Sequence, residues 1–232
     1  IGIVFSGGPA PGGHDVLCGI LSHLRDEDQL IGFCGGPGGL LRGITKMLSS
    51  SDISEIQATG GFDMLGTDRT KISTEAQFDQ VREQVKMHRL DALIIVGGDD
   101  SNTNALYLAD ALFGECLVIG VPKTIDCDLL FKPYLMTTFG FHSACAHYSK
   151  LVQSLMIDCK ATQRYWHLVK LMGRSASHVT MDVALNCHPN FVVLSEEVIS
   201  NKWSAKDVTR QCCDVIQRRY DLGKPYGVML FP

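Results

Sequence analysis

The chain has 232 residues, 45% of them hydrophobic and 20% charged, with a formal net charge of −4, the balance of an ordinary globular protein with a sizeable core. A net-acidic chain lacks the basic field that nucleic acid or an acidic membrane surface attracts, and no apolar run reaches the roughly 20 residues that span a bilayer. Its nine cysteines include no CxxC pair, which excludes zinc-finger spacing, and the odd count suits a reducing, cytoplasmic compartment.

Strands are predicted over 1–5 (IGIVF), 30–34 (LIGFC), 91–96 (DALIIV), 116–121 (CLVIGV), 165–171 (YWHLVKL), 191–194 (FVVL) and 226–231 (YGVMLF). They are rich in Val, Ile and Leu and mostly lack in/out alternation, as parallel strands covered on both faces do. Between them, the segment after Ser73 or Thr74 predicts a helix with Phe78, Val81 and Val85 on one face. A second helix is predicted from about Gly140 to Asp158. A third opens at Ser204 with Asp207 in its first turn, carries Val208, Cys212, Val215 and Ile216 as its apolar stripe, and stops at Gly223. This order predicts an α/β fold, a doubly wound parallel sheet with helices on both faces. The sequence begins without Met and stops at YGVMLFP, each time inside a strand-like run. A piece of a longer polypeptide is therefore expected, with the remainder of its site beyond Pro232.

Ligands of such sheets bind beyond the carboxyl ends of the strands, where four segments gather chemistry. FSGGPAPGGHDVLCGIL (5–21) runs from a strand through glycines into a helix, which suits either a phosphate cradle or a plain tight turn. GGFDMLGTDRTKI (60–72) offers Arg69 and Lys71, either as solvated loop residues or as a cationic clamp on phosphoryl oxygens. LIIVGGDDSNTNA (93–105) places Asp99 and Asp100 side by side at the mouth of a buried strand, a costly arrangement unless a cation meets them. VIGVPKTIDCDLL (118–130) adds Lys123 and Thr124, then Asp126 and Asp128. Carboxylates with an ammonium in one crevice suit a metal–phosphate ligand and a general base.

Taken in order, GGPAPGGH, GGFDM, GGDDSNTNA, PKTID, TTFGF, LMGRSASH and HPN resemble the phosphofructokinase family over essentially the whole chain, and within it the pyrophosphate-dependent branch. The resemblance implies phosphoryl transfer between pyrophosphate and the 1-hydroxyl of fructose 6-phosphate, with Mg²⁺ as cofactor. It assigns Gly8, Arg69 and Gly98 to the donor, Asp99 to the metal, and Asp126 to the base that takes the sugar hydroxyl proton. Thr124, Met172, Gly173 and Arg174 fall to the sugar phosphate. Arg164 and Tyr165 match a pair that reaches a neighbouring subunit's substrate, so a homo-oligomer, or a hetero-oligomer with a related subunit, is implied. In the ATP-using branch the positions of Asp100 and Lys123 are typically glycine. A carboxylate at Asp100 then collides with a nucleotide's α-phosphate, and the Lys123 ammonium neutralises charge on pyrophosphate during transfer.

Residues 1–232 are accordingly expected to hold the donor-binding and catalytic region, with a sugar-phosphate lobe only partly present. The chain departs from the family pattern at Cys127, where glycine or asparagine is usual, at Asp15, at His142 and at Arg164. His178 is read as a packing or hydrogen-bonding residue. Two other functions compete: a regulatory subunit without turnover, and an ATP-dependent enzyme, against which Asp100 and Lys123 speak.

Overall fold

The computed structural model describes residues 1–129, 138–173 and 176–232. The chain divides into two compact units, the first built from Ile1–Thr124 with, among the described residues, Leu129 and 138–140, the second from Ile125–Asp128 and Phe141–Pro232.

The first unit strings together β1 (Gly2–Phe5), α1 (Gly13–Leu21), β2 (Leu30–Phe33), α2 (Gly36–Arg42), β3 (Thr45–Leu48), α3 (Ile53–Ile56), α4 (Glu75–His88), β4 (Ala92–Gly97), α5 (Asp99–Ala111), β5 (Leu117–Thr124) and β6 (Phe139–Gly140). Its sheet runs in the order β3-β2-β1-β4-β5-β6, parallel throughout except for β3. Alternate residues of β1 and β4 face opposite ways into two cores. Val4, Leu93 and Ile95 pack with α2, α4 and α5 through Leu40, Val81, Val85 and Leu108. Ile3, Phe5, Ile94 and Val96 pack with α1 and α3 through Leu17, Leu21 and Ile56. Helices on both faces of a mainly parallel sheet confirm the predicted α/β class.

Local signals place several elements. Thr74 caps α4 and forms a reciprocal capping box with Gln77, satisfying amides that the first turn leaves open. His14, 1% exposed, ties α1 to the glycine loop that follows α3. Its Nδ1–H donates to Thr59 Oγ1 at 2.6 Å, and its Nε2 accepts from the Met64 amide at 3.2 Å. That amide can only donate, which fixes the proton on Nδ1.

Three expectations need correction. The strand predicted over 116–121 continues through Pro122 and Lys123 to Thr124. Proline is accommodated because β6 pairs only with Lys123 and Thr124, leaving one edge of Pro122 without a ladder to supply. For the same reason β5 is not covered like its neighbours, and Leu117 stands 63% exposed. Antiparallel β3 was not predicted: three of its four residues are exposed, so no buried pattern marks it.

The second unit carries α6 (Phe141–Thr162), β7 (Trp166–Lys170), α7 (His178–Cys187), β8 (Phe191–Val192), α8 (Ser195–Ser200), α9 (Ala205–Asp221) and β9 (Gly227–Phe231). The parallel strands run in the order β7-β9-β8. Cys145, Val152 and Cys159 of α6 pack with Val179, Val183 and Cys187 of α7 against Val228 and Leu230 of β9. Ser204 caps α9 through a second capping box, with Asp207. Helix α6 extends four residues past the expected Asp158, and β8 stops two residues short of the expected 194.

Candidate functional site

Strand β1 has β2 on one side and β4 on the other, so the chain switches direction across the sheet there, and ligands of such sheets bind beyond the carboxyl ends of the strands at that point, here β1 and β4. Ser6, Gly7 and Gly8 emerge from β1. The Ser6 amide still donates to Val96 O at 2.8 Å, and its hydroxyl accepts from Ser101 at 2.9 Å, both side chains buried. Gly7 turns at φ 86°, a conformation that side chains with a β-carbon rarely hold. Thr67 staples this turn from outside by donating to Phe5 O at 3.1 Å and Gly7 O at 2.8 Å. Arg69 follows, and its Nη2 lies 3.4 Å from where a β-carbon on Gly8 would sit. Arg69 and Lys71 are both exposed.

Strand β4 ends at Gly97, and Gly98 is the N-cap of α5 without a side-chain cap of its own. Asn102 reaches back instead, donating to Gly97 O and Gly98 O at 2.8 Å each. Asp99 and Asp100 form the first turn of α5 and are exposed. The premise that they sit buried and need a cation to offset desolvation is thereby corrected: water and the positive end of the helix dipole both favour the two charges. Lys123, half-buried near the end of β5, donates from Nζ to the Gly8 carbonyl at 2.8 Å. A β-carbon on Gly98 would lie 3.7 Å from the Lys123 carbonyl. The first unit therefore brings Gly8, Arg69, Gly98 and Lys123 together, with Asp99 and Asp100 one and two residues beyond Gly98. Thr124 closes β5 and is buried.

Among the described residues no three His, Cys, Asp or Glu side chains gather as a metal cage. One or two exposed carboxylates of hard oxygen character still fit Mg²⁺, which keeps several waters and takes its remaining ligands from substrate phosphates.

In the second unit Asp126 is half-buried, and its carbonyl accepts from His178 Nδ1 at 3.1 Å. His178 opens α7 and so hydrogen-bonds, as read from the sequence. Cys127 takes φ 56°. Ser177, 2% exposed, donates its amide to Glu196 Oε1 at 2.8 Å and accepts from the Ser195 amide at 2.8 Å. Glu196 lies below the usual carboxylate range, chiefly because of that Ser177 amide. Met172 and Gly173 follow the carboxyl end of β7, while exposed Arg164 and Tyr165 precede its amino end. The five residues of β7 alone span about 16 Å, so these two groups are not brought together. Arg174 lies outside the described residues.

Sequence reasoning passed over Thr67, Asp68, Ser101 and Glu196. For Asp68 a signal was present: the Asp-x-Thr spacing of Asp68 and Thr70 marks an Asx-type turn, whereas Thr67 finds Phe5 and Gly7 only through the fold. Ser101 and Glu196 find their partners through the fold, 95 and 19 residues away.

The sequence model of the family described as Phosphofructokinase matches residues 1–230. The chain is 47% identical over 238 aligned residues to the beta 2 subunit of pyrophosphate–fructose 6-phosphate 1-phosphotransferase of Arabidopsis thaliana, covering all of this chain and 42% of that protein. It is 42% identical to the pyrophosphate–fructose 6-phosphate 1-phosphotransferase of Porphyromonas gingivalis, covering 43% of it. The chain thus spans less than half the length of these relatives. Its fold resembles the solved pyrophosphate-dependent phosphofructokinase of Marinobacter aquaeolei, with a TM-score of 0.81 at 21% identity over 99% of this chain and 59% of that one.

Proposed function

This chain belongs to the phosphofructokinase family, and from that premise we propose that it serves reversible phosphoryl transfer from pyrophosphate to the 1-hydroxyl of fructose 6-phosphate, giving fructose 1,6-bisphosphate and phosphate. The observation that carries the reading is the Lys123 ammonium held at 2.8 Å from the Gly8 carbonyl, in a crevice whose next helix opens with Asp99 and Asp100. The names of the relatives support the donor assignment.

Phosphoryl transfer asks mainly for positioning and charge stabilisation. In this reading the Gly8 turn admits the donor closely, and Arg69 and Lys123 meet its oxygens. Asp100 stands where a nucleotide's α-phosphate would come and repels it. Thr124, Met172, Gly173 and Arg174 hold the sugar phosphate, and Asp126 accepts the proton from the 1-hydroxyl. Mg²⁺, held by Asp99 together with donor oxygens and water, would supply charge neutralisation on the transferring group. Arg164 and Tyr165, set apart from Met172 along β7, serve a neighbouring subunit. We infer an oligomer on that ground, either of identical chains or with a related subunit, the latter in keeping with a relative named as a beta subunit. No helix among the described residues is long and apolar enough to cross a membrane, and the unpaired cysteines favour a cytoplasmic setting.

The test is an assay of the full-length protein with fructose 6-phosphate, Mg²⁺ and either pyrophosphate or ATP. Product with pyrophosphate alone is the expected result. Product with ATP alone would refute the donor assignment, and product with neither would point to a regulatory chain.

A further inference from the structure

Asp68 stands where three segments of the first unit meet. Its carbonyl accepts from the Gly7 amide at 2.8 Å, in an isolated parallel bridge with Ser6. Its carboxylate reaches the other way. Oδ1 accepts from the Gly38 amide of α2 at 3.2 Å and from the Thr70 amide at 3.2 Å, while Oδ2 accepts from the Thr70 hydroxyl at 2.5 Å. Two glycines make room for it. A β-carbon on Gly36, at φ 71°, would run into the Asp68 amide, and one on Gly38 would come within 2.5 Å of Oδ2. The residue that follows is Arg69, the one whose guanidinium lies against Gly8.

We propose that Asp68 is a positioning residue for the donor: by gripping α2 and Thr70 with its carboxylate and Gly7 with its carbonyl, it sets the Arg69 guanidinium against the Gly8 turn. The proposal rests on the pyrophosphate reading above. Arginine is a long side chain with several rotatable bonds, and it clamps phosphoryl oxygens well only when its backbone is fixed. Arg69 itself is exposed, so packing does little to hold it. The charge-assisted bonds of its neighbour fix the backbone from both sides.

The test compares the full-length wild type with Asp68→Ala, with Gly38→Ala and with Arg69→Ala, reading KM for each substrate separately, alongside direct titration of pyrophosphate binding. Gly38→Ala keeps the carboxylate but pushes it aside, and alanine suits a helix, so this variant reports on the grip even if Asp68→Ala folds poorly. Both variants should raise KM for pyrophosphate about tenfold and leave KM for fructose 6-phosphate within about twofold. In an Arg69→Ala background, adding Asp68→Ala should change the pyrophosphate KM no further. A parallel rise in both KM values, or effects of Asp68 and Arg69 that add, would overturn the proposal in favour of a general structural role. A wild type that binds no pyrophosphate would sink both readings, whereas one that binds it as tightly as its variants do would sink this one alone.

Discussion

The Lys123 ammonium donates to the Gly8 carbonyl across the mouth of the sheet at 2.8 Å. One side chain thus links the end of β5 to the turn that leaves β1, with α5 and its two leading carboxylates close by. Donor choice is expected to depend on this pair of features, one cationic and one anionic.

Replacing Asp100 and Lys123 together with glycine should open the crevice to a nucleotide. Turnover with ATP should become measurable, while kcat/KM for pyrophosphate falls on the order of 100-fold through loss of the ammonium. Steady-state kinetics with each donor check this. A double variant that gains no nucleotide binding would remove Asp100 as the filter.

Asp126→Ser takes away a proton acceptor and leaves the first unit's residues in place. Its kcat should drop by roughly 10²–10⁴, with pyrophosphate binding by titration calorimetry unchanged. Near-normal turnover would mean that another group acts as the base.

The start of α7 should loosen in acid. The Ser177 amide holds the Glu196 carboxyl below its usual range. A depressed carboxylate contributes stability that is fully present above the ordinary glutamate value and disappears as pH falls through the depressed one. Glu196 is exposed, so the contribution is under about 1 kcal/mol after solvent screening. Glu196→Gln should therefore lower urea stability slightly near neutrality and converge with the wild type in acid, once the Glu196 carboxyl is protonated in the folded state too. Curves that stay parallel throughout the acid range would contradict this.

Thiol chemistry should divide the cysteines by depth. Burial, with Asp182 nearby, pushes the Cys145 thiol up to about 12, and burial likewise raises Cys159 and Cys187. The reactive species is the thiolate. Iodoacetamide at pH 8 should modify exposed Cys213 well before any of these three, as peptide mapping by mass spectrometry would show. Early labelling of Cys145 in the folded protein would contradict the packing between α6 and α7.

Features whose cause is local were legible in the sequence. Thr74 and Ser204 each announce a helix start because their capping partners lie three residues on. The runs that became β1 and β4 read as covered strands because they pack on both faces. Features caused by distant neighbours were hidden. β3 is a strand because it pairs with β2, and its mostly exposed residues carry no pattern. Pro122 looked like the end of a strand, yet the ladder runs past it. The candidate site shows the same division. Its residue types were legible, while the exposure of Asp99 and Asp100, the reach of Lys123 to Gly8 and the grip of Asp68 on α2 exist only once the sheet has formed.

Cys127 follows Asp126 with its backbone in the left-handed region, at φ 56°. For a residue with a β-carbon that posture costs roughly 1–2 kcal/mol, a penalty glycine would escape. The same β-carbon denies the unfolded loop many of the shapes glycine would sample. At this angle the folded-state strain outweighs that gain, so the loop beside Asp126 is held by its surroundings against its own preference, and glycine at 127 would relax it.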